Sequence, residues 1–543
     1  MITAPAGRVL TAYERALLVI TVAAAAACRL FALGRLPGLN GDEAWYGANV
    51  QAMVDGGSPF WHTGIGNPLN PLHTGPLLAM TAIYPQPSFV VVRATEAVYG
   101  VLAVALAYPL LRRSIGVRAA LIATVLIAIS PIAIAYSRFG WDPSGTPLIG
   151  LVAIACAMRN RPASAAVACI AAWFVHPTNV FLWPVAAAAW APHGLAAYRA
   201  APQAWRQRLH VTVAVAIVIA IPIVAWFVMR VAANQNTSLP SIAMVIERLT
   251  SPAIWIEVGV GIGRMFAGIS SAQHISGPLP SAAVTAADVT TFAIVMSGVI
   301  LCWRDRIQMR WMGGGVILAL GAFIVVAGPD AVVPQHERYA LSFLMPLILI
   351  VAAGSDALIE TRRVIGIAML ASTLVMFATS TAAGYFAPLV VDGGRSLDSF
   401  RTGTVEPKAA AYEFIRADSG ASQVSVIAQD WWTYWPLRYL SRPDAARIRI
   451  DVLPGANMPG GERPAGAPVP PPLTGEVKRY AVLFETGVEW AALRKRGTQP
   501  LFTARDPRGR AILHVVALRA GAHELAPSAA PAVPANAARP QDR

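Results

Sequence analysis

Charged side chains are scarce in this sequence. Asp, Glu, Lys and Arg make up 13% of its 543 residues, against a hydrophobic share of 56% and a mean hydropathy of +0.53. A soluble domain carries roughly 25% charge, so a wholly water-facing surface is excluded. Cysteine is rarer still. Cys28, Cys156, Cys169 and Cys302 stand singly in or beside apolar runs, with no CxxC pair among them. That excludes a disulfide framework and a thiolate metal site, and leaves four small packing residues. Lysine is nearly absent: Lys408, Lys478 and Lys495 all lie late in the chain, and everything before them uses arginine alone. The net charge of +14 forms no basic run interleaved with aromatics, so nucleic acid is not an expected partner.

What is present is a recurrence of apolar runs from Leu17 to about Thr379. Each is close to the roughly 17 to 25 residues that cross a bilayer. Arginines cluster at alternate ends of these runs: Arg112, Arg113 and Arg118; Arg159 and Arg161; Arg199, Arg206 and Arg208; Arg304, Arg306 and Arg310; Arg362 and Arg363. Short loops between those clusters are poor in positive charge, which marks the clusters as cytoplasmic. The pattern predicts a mainly α, polytopic membrane bundle of about eleven helices over residues 1–384, with an uncleaved first helix and a long outer loop at 35–87. The seventh of these helices is expected near 210–232, and an interfacial or re-entrant segment near 252–270.

After about residue 385 the composition becomes that of a soluble domain, placed outside by the same topology. An amphipathic helix at 406–417, strands at 423–428, 447–452 and 480–484, and the turn Asp506-Pro507-Arg508-Gly509 predict a small extracytoplasmic α/β domain over 385–523. A Pro/Gly-rich insertion interrupts it at 454–474, and an Ala/Pro tail follows at 524–543.

The sharpest feature of the first outer loop is Gly41-Asp42-Glu43-Ala44-Trp45-Tyr46. Burial and mutual repulsion of adjacent carboxylates near a membrane surface can raise one pKa toward neutrality, which suits proton removal from an acceptor hydroxyl or amine. The stretch from Arg29 to Gly47 resembles the first helix exit of polyprenyl-phosphate-sugar-dependent glycosyltransferases of the GT-C fold. That family includes protein O-mannosyltransferases and lipid A aminoarabinose transferases. The resemblance continues at Val92-Arg93-Ala94-Thr95-Glu96, at Ser137-Arg138-Phe139-Gly140-Trp141-Asp142 and at Glu337-Arg338-Tyr339 before Pro346. The order of these motifs on one face is more specific than any of them alone. Aminoarabinose transferases carry an arginine where this chain has Trp45, and a lysine before a proline where it has Asn70-Pro71, so that donor is not carried over.

The resemblance implies an inverting transferase of the bacterial inner membrane, with its site and soluble domain facing the periplasm. Its partners would be a polyprenyl-phosphate sugar, membrane lipid, and a glycan, lipid or protein acceptor. Asp42 would be the base, assisted by Glu43. Arg338, with His336 and Arg93 as further choices, would meet the donor phosphate. Trp45, Tyr46, His62, His73, Arg138 and Asp142 would line the substrates. Simpler readings stand beside these: Arg338 as an interfacial anchor, Arg138 and Asp142 paired to each other, and Asp430 as a helix cap beside Trp431 and Trp432. No cofactor is required, although a divalent cation at Asp42 or Glu43 fits the family. The rival reading is a transporter or flippase of a lipid-linked glycan. Its expected midplane charges and internal repeats are not seen.

Overall fold

A computed structural model describes residues 10–63, 68–207, 241–276, 279–305, 307–334, 336–391, 406–456, 458, 473 and 477–518. The helix expected at 210–232, most of the 454–474 insertion and the tail lie outside the described residues.

Helix α1 (Ala12–Leu30) opens on a capping box in which Thr11 and Glu14 satisfy each other's backbone N–H groups. The loop that follows holds two helices, α2 (Gly41–Val54) and α3 (Pro71–Ile83). Next come α4 (Phe89–Ile115), α5 (Val117–Ile129) and α6 (Pro131–Tyr136). A single helix is expected over 117–136, but the Ser130-Pro131 step divides it, because proline supplies no N–H to continue the ladder. Then follow α7 (Thr146–Met158), α8 (Pro162–Val175) and α9 (Leu182–Ala200). Later helices include Pro252–Ala267, Ser281–Asp305, Ile307–Val326, Leu344–Thr361 and Arg363–Thr379.

Among the described residues, six helices are long and apolar enough to cross a membrane, and three more apolar helices are shorter. Leu344–Thr361 runs through the middle, with its apolar side chains buried on every side. The surrounding helices leave Ile317, Leu318, Val364 and Val375 exposed. Apolar residues facing outward along long helices require an apolar surrounding, so the chain is a multi-pass membrane protein. At one end of the bundle Arg118 pairs with Asp356 and Glu360, and Arg159 donates to the Pro109 carbonyl. The opposite end carries α2 and α3.

The C-terminal part is a five-stranded sheet in the order β2-β1-β3-β5-β4. Strands β1 (Gln423–Ala428), β2 (Ile448–Val452) and β3 (Val477–Phe484) run parallel. Strand β5 (Ala511–Ala517) is antiparallel to both β3 and β4 (Phe502–Arg505). Alternation along β1 buries Val424, Val426 and Ala428.

This sheet does not stand apart from the bundle. Leu39, Ala44, Trp45, Tyr46 and Phe60 of the first loop share one apolar core with Tyr434, Trp435, Leu437 and Tyr439. The helix Trp431–Leu440 lies against α2: Trp45 meets Trp435 edge-on at 6.4 Å, and the Tyr439 hydroxyl accepts from Ser88 N at 2.9 Å. Arg442 pairs with Asp55 beside them. The composition changes at residue 385, but the packing is continuous across it.

Candidate active site

Asn40 organises the start of α2. Its side chain accepts from Asp42 N at 2.7 Å and from Trp141 Nε1 at 3.2 Å, and its own N–H donates to Glu43 Oε1 at 2.8 Å. This capping box sends the two adjacent carboxylates in different directions.

Glu43 turns inward and is fully buried. Arg93 grips it with two bonds, Nε–Oε2 at 2.9 Å and Nη2–Oε1 at 2.5 Å, and Gly140 N adds a third at 3.1 Å. The remaining Arg93 N–H groups donate to the carbonyls of Leu33, Pro37 and Gly38. All five guanidinium donors are therefore engaged within the protein, so Arg93 sits as a strut rather than on a donor phosphate. Glu43 is equally occupied, which removes it as a second ligand for a cation beside Asp42. Among the described residues no group of three His, Cys, Asp or Glu side chains could hold a metal ion.

Asp42 turns the other way and is half-buried. Trp431 of the C-terminal α/β part donates its indole N–H to Asp42 Oδ1 at 2.9 Å. Burial raises the Asp42 pKa, with Glu43 adding to the rise, while the charge of Arg338 and the Trp431 bond oppose it. Arg338 stacks over Tyr339 and Trp141, at 4.7 and 5.5 Å from the ring centres, and donates to the Tyr339 hydroxyl at 3.1 Å. Contact with aromatic faces helps to fix the orientation of this cation.

A second acidic group lies close by. Asp142, in the 3-10 turn Asp142–Gly145, lies near the Tyr46 hydroxyl and sits in the fields of His73, Asp42, Glu96 and Arg338. Burial pushes its pKa up to about 7. His73 and Glu96 are both fully buried and joined Nδ1–Oε1 at 2.9 Å, and burial lowers the His73 pKa to about 4.

The other expected residues fall elsewhere. Arg138 does not pair with Asp142: it donates to the carbonyls of Cys28, Arg29, Phe31 and Leu36, and ties the exit of α1. Trp45 is buried among Tyr46, Phe60 and Trp435 as core. His62 is exposed beside an isolated bridge to Pro68. His336 bonds the Asp330 carbonyl at 2.9 Å, at the edge of the site next to Tyr339. Asp430 caps its helix by accepting from Thr433 N at 3.0 Å. Sequence reasoning missed Trp431, Trp141 and Glu96 as members of this cluster. Glu96 and Trp141 stood in the motifs that carry the resemblance and Trp431 beside Asp430, but none of the three was named for the site.

Fold and site together define a multi-pass membrane protein whose carboxylate and guanidinium groups gather beside a C-terminal α/β sheet. No protein-family model and no curated protein matches the chain. The solved structures similar to it include the oligosaccharyltransferase of Archaeoglobus fulgidus with zinc and sulfate, at 15% identity over 92% of this chain and 73% of that one, with a TM-score of 0.49. ArnT of Cupriavidus metallidurans bound to undecaprenyl phosphate is similar at 14% identity over 93% and 98%, with a TM-score of 0.47. Both are GT-C enzymes, the class that the ordered motifs resemble. At these values the likeness decides nothing about chemistry, which rests on the site.

Proposed function

We propose that this chain is an inverting glycosyltransferase that moves a sugar from a polyprenyl phosphate to an acceptor at the outer face of a bacterial inner membrane. The observation that carries the reading is the opposition of Asp42 and Arg338 at the bundle end beside the soluble domain. Asp42 is half-buried with a raised pKa, and Arg338 is stacked on Trp141 and Tyr339 within its field.

In this reading an acceptor hydroxyl or amine gives its proton to Asp42 and attacks the anomeric carbon. The bond from that carbon to the phosphate oxygen breaks, and the electron pair leaves with the lipid phosphate. Because attack comes from the face opposite the leaving group, configuration inverts. Charge grows on the phosphate as the bond lengthens, and a pre-oriented guanidinium stabilises it most at that point. Asp142, kept partly protonated near neutrality by burial, would donate a hydrogen bond to a sugar or acceptor oxygen. No step is routed through a metal.

The test is transfer of radiolabelled sugar from a polyprenyl-phosphate-linked pool by purified protein in lipid, with undecaprenyl phosphate as the first carrier to try. Transfer by the wild type that is lost in folded Asp42→Asn supports the assignment. Equal transfer by both would remove Asp42 from the chemistry. Passage of the lipid-linked sugar across the bilayer without transfer would favour the flippase.

A further inference from the structure

Among the described residues, one side chain of the C-terminal domain, Trp431, bonds the Asp42 carboxylate, and several features fix that side chain in place. Asp430 caps the helix Trp431–Leu440, so Trp431 is its first residue. Trp431 meets Trp435 edge-on at 5.5 Å, and Trp435 in turn meets Trp45 of α2. Tyr439 bonds both backbone groups of Ser88, and Arg442 pairs with Asp55. Gly41 permits the approach: a Cβ there would lie 2.6 Å from Trp431 and 2.8 Å from Trp432.

We propose that Trp431 is a positioning residue of the active site, holding the Asp42 carboxylate in one orientation and favouring its ionised form, so that the soluble domain completes the catalytic centre. This deepens the reading above and rests on Asp42 being the base.

The chemistry follows from the donor. An indole N–H only donates, so it bonds the carboxylate and gives nothing to the carboxylic acid's own proton. A hydrogen bond to the charged form favours that form. The other groups facing Asp42 are Arg338 from the turn Glu337–Phe343, Glu43 on the same helix, and Asp142 and Tyr46 across the site. Of these only Arg338 also favours ionisation, and its charge is offset once a donor phosphate binds it. The field of a neutral indole is not cancelled by phosphate. Trp431 would therefore keep Asp42 ionised in the state in which a base is needed.

The experiment is an infrared titration of the full-length protein in lipid nanodiscs. The protonated-carboxyl band that disappears in Asp42→Asn marks Asp42. In Trp431→Phe its midpoint is expected to move upward by about one pH unit, the size of one hydrogen bond to a charged group. In Trp432→Phe, which keeps the bond, it stays. The acid limb of the transfer rate is expected to move with the band. An unchanged midpoint in folded Trp431→Phe overturns the proposal. Should that variant not fold, the wild-type indole N–H resonance of Trp431 decides: it is expected to move with pH, and to stop moving in Asp42→Asn. A resonance indifferent to pH also overturns the proposal. Failure of the base assignment is separately visible, as transfer that survives in Asp42→Asn.

Discussion

Glu43 and Arg93 form a bidentate ion pair with both side chains fully buried. Removing one member would leave the other charged and unpaired in the interior. Breaking such a pair costs about 3–5 kcal/mol, so Glu43→Gln and Arg93→Met should both lower the unfolding temperature and the yield of intact protein. A phosphate-binding role for Arg93 predicts something else: a stable protein with a raised KM for the donor. Thermal unfolding and donor KM, measured on the same preparations, separate the two.

The pH profile of transfer tests Asp42 directly. Its pKa is raised by burial, so the base is lost to protonation at a higher pH than for an exposed aspartate. Activity should climb with pH through that raised value, and the limb should lie above the ordinary aspartate value of about 3.9. Asp42→Asn removes the acceptor for the proton and should reduce kcat by about 10²–10⁴-fold, the usual contribution of a general base. A profile flat across the acid range would place the base elsewhere.

Much of the bundle was legible because a bilayer imposes a length and a sign on each apolar run. The apolar helices and the arginines at alternate ends follow from that rule alone. The helices α2 and α3 were less visible, since a loop with mixed composition carries no strong periodicity. Asn40 three residues before Glu43 was nonetheless a readable capping signal. The division of labour between Asp42 and Glu43 was not readable at all. Both are acidic and adjacent, and only the cap sends one inward to Arg93 and the other outward to Trp431. The Trp431 contact spans 389 positions in sequence, a distance over which no local pattern carries information.

Arg338 makes a different prediction from Arg93, because its charge acts on Asp42. Arg338→Lys keeps the charge but loses the planar fork and the stacking on Trp141 and Tyr339. A drop in kcat of about 10²–10³-fold is expected for loss of one aligned donor to a developing anion, with little change in thermal stability. An unfolded or poorly expressed Lys variant, together with full activity in whatever remains folded, would instead mark Arg338 as an anchor of the turn.

His73 and Asp142 pull stability in opposite directions with pH. The His73 pKa falls to about 4 in the folded protein, against an ordinary value of about 6.5. Between those values the unfolded chain binds the extra proton, so acidification through this window removes stability. Asp142 is the reverse: its pKa is up to about 7, the folded state binds the proton first, and acidification from about 7 toward its ordinary value of about 3.9 adds stability. In the wild type the two slopes oppose each other over their shared window. His73→Asn removes the unfavourable one while leaving Asp142 in place, at a pH where His73 was neutral in the folded state anyway. Its unfolding temperature should therefore rise more on acidification than that of the wild type, whatever the offset at neutral pH. Parallel curves for the two proteins would mean that His73 is protonated in the folded state, with Glu96 holding it as an imidazolium and not as a neutral ring.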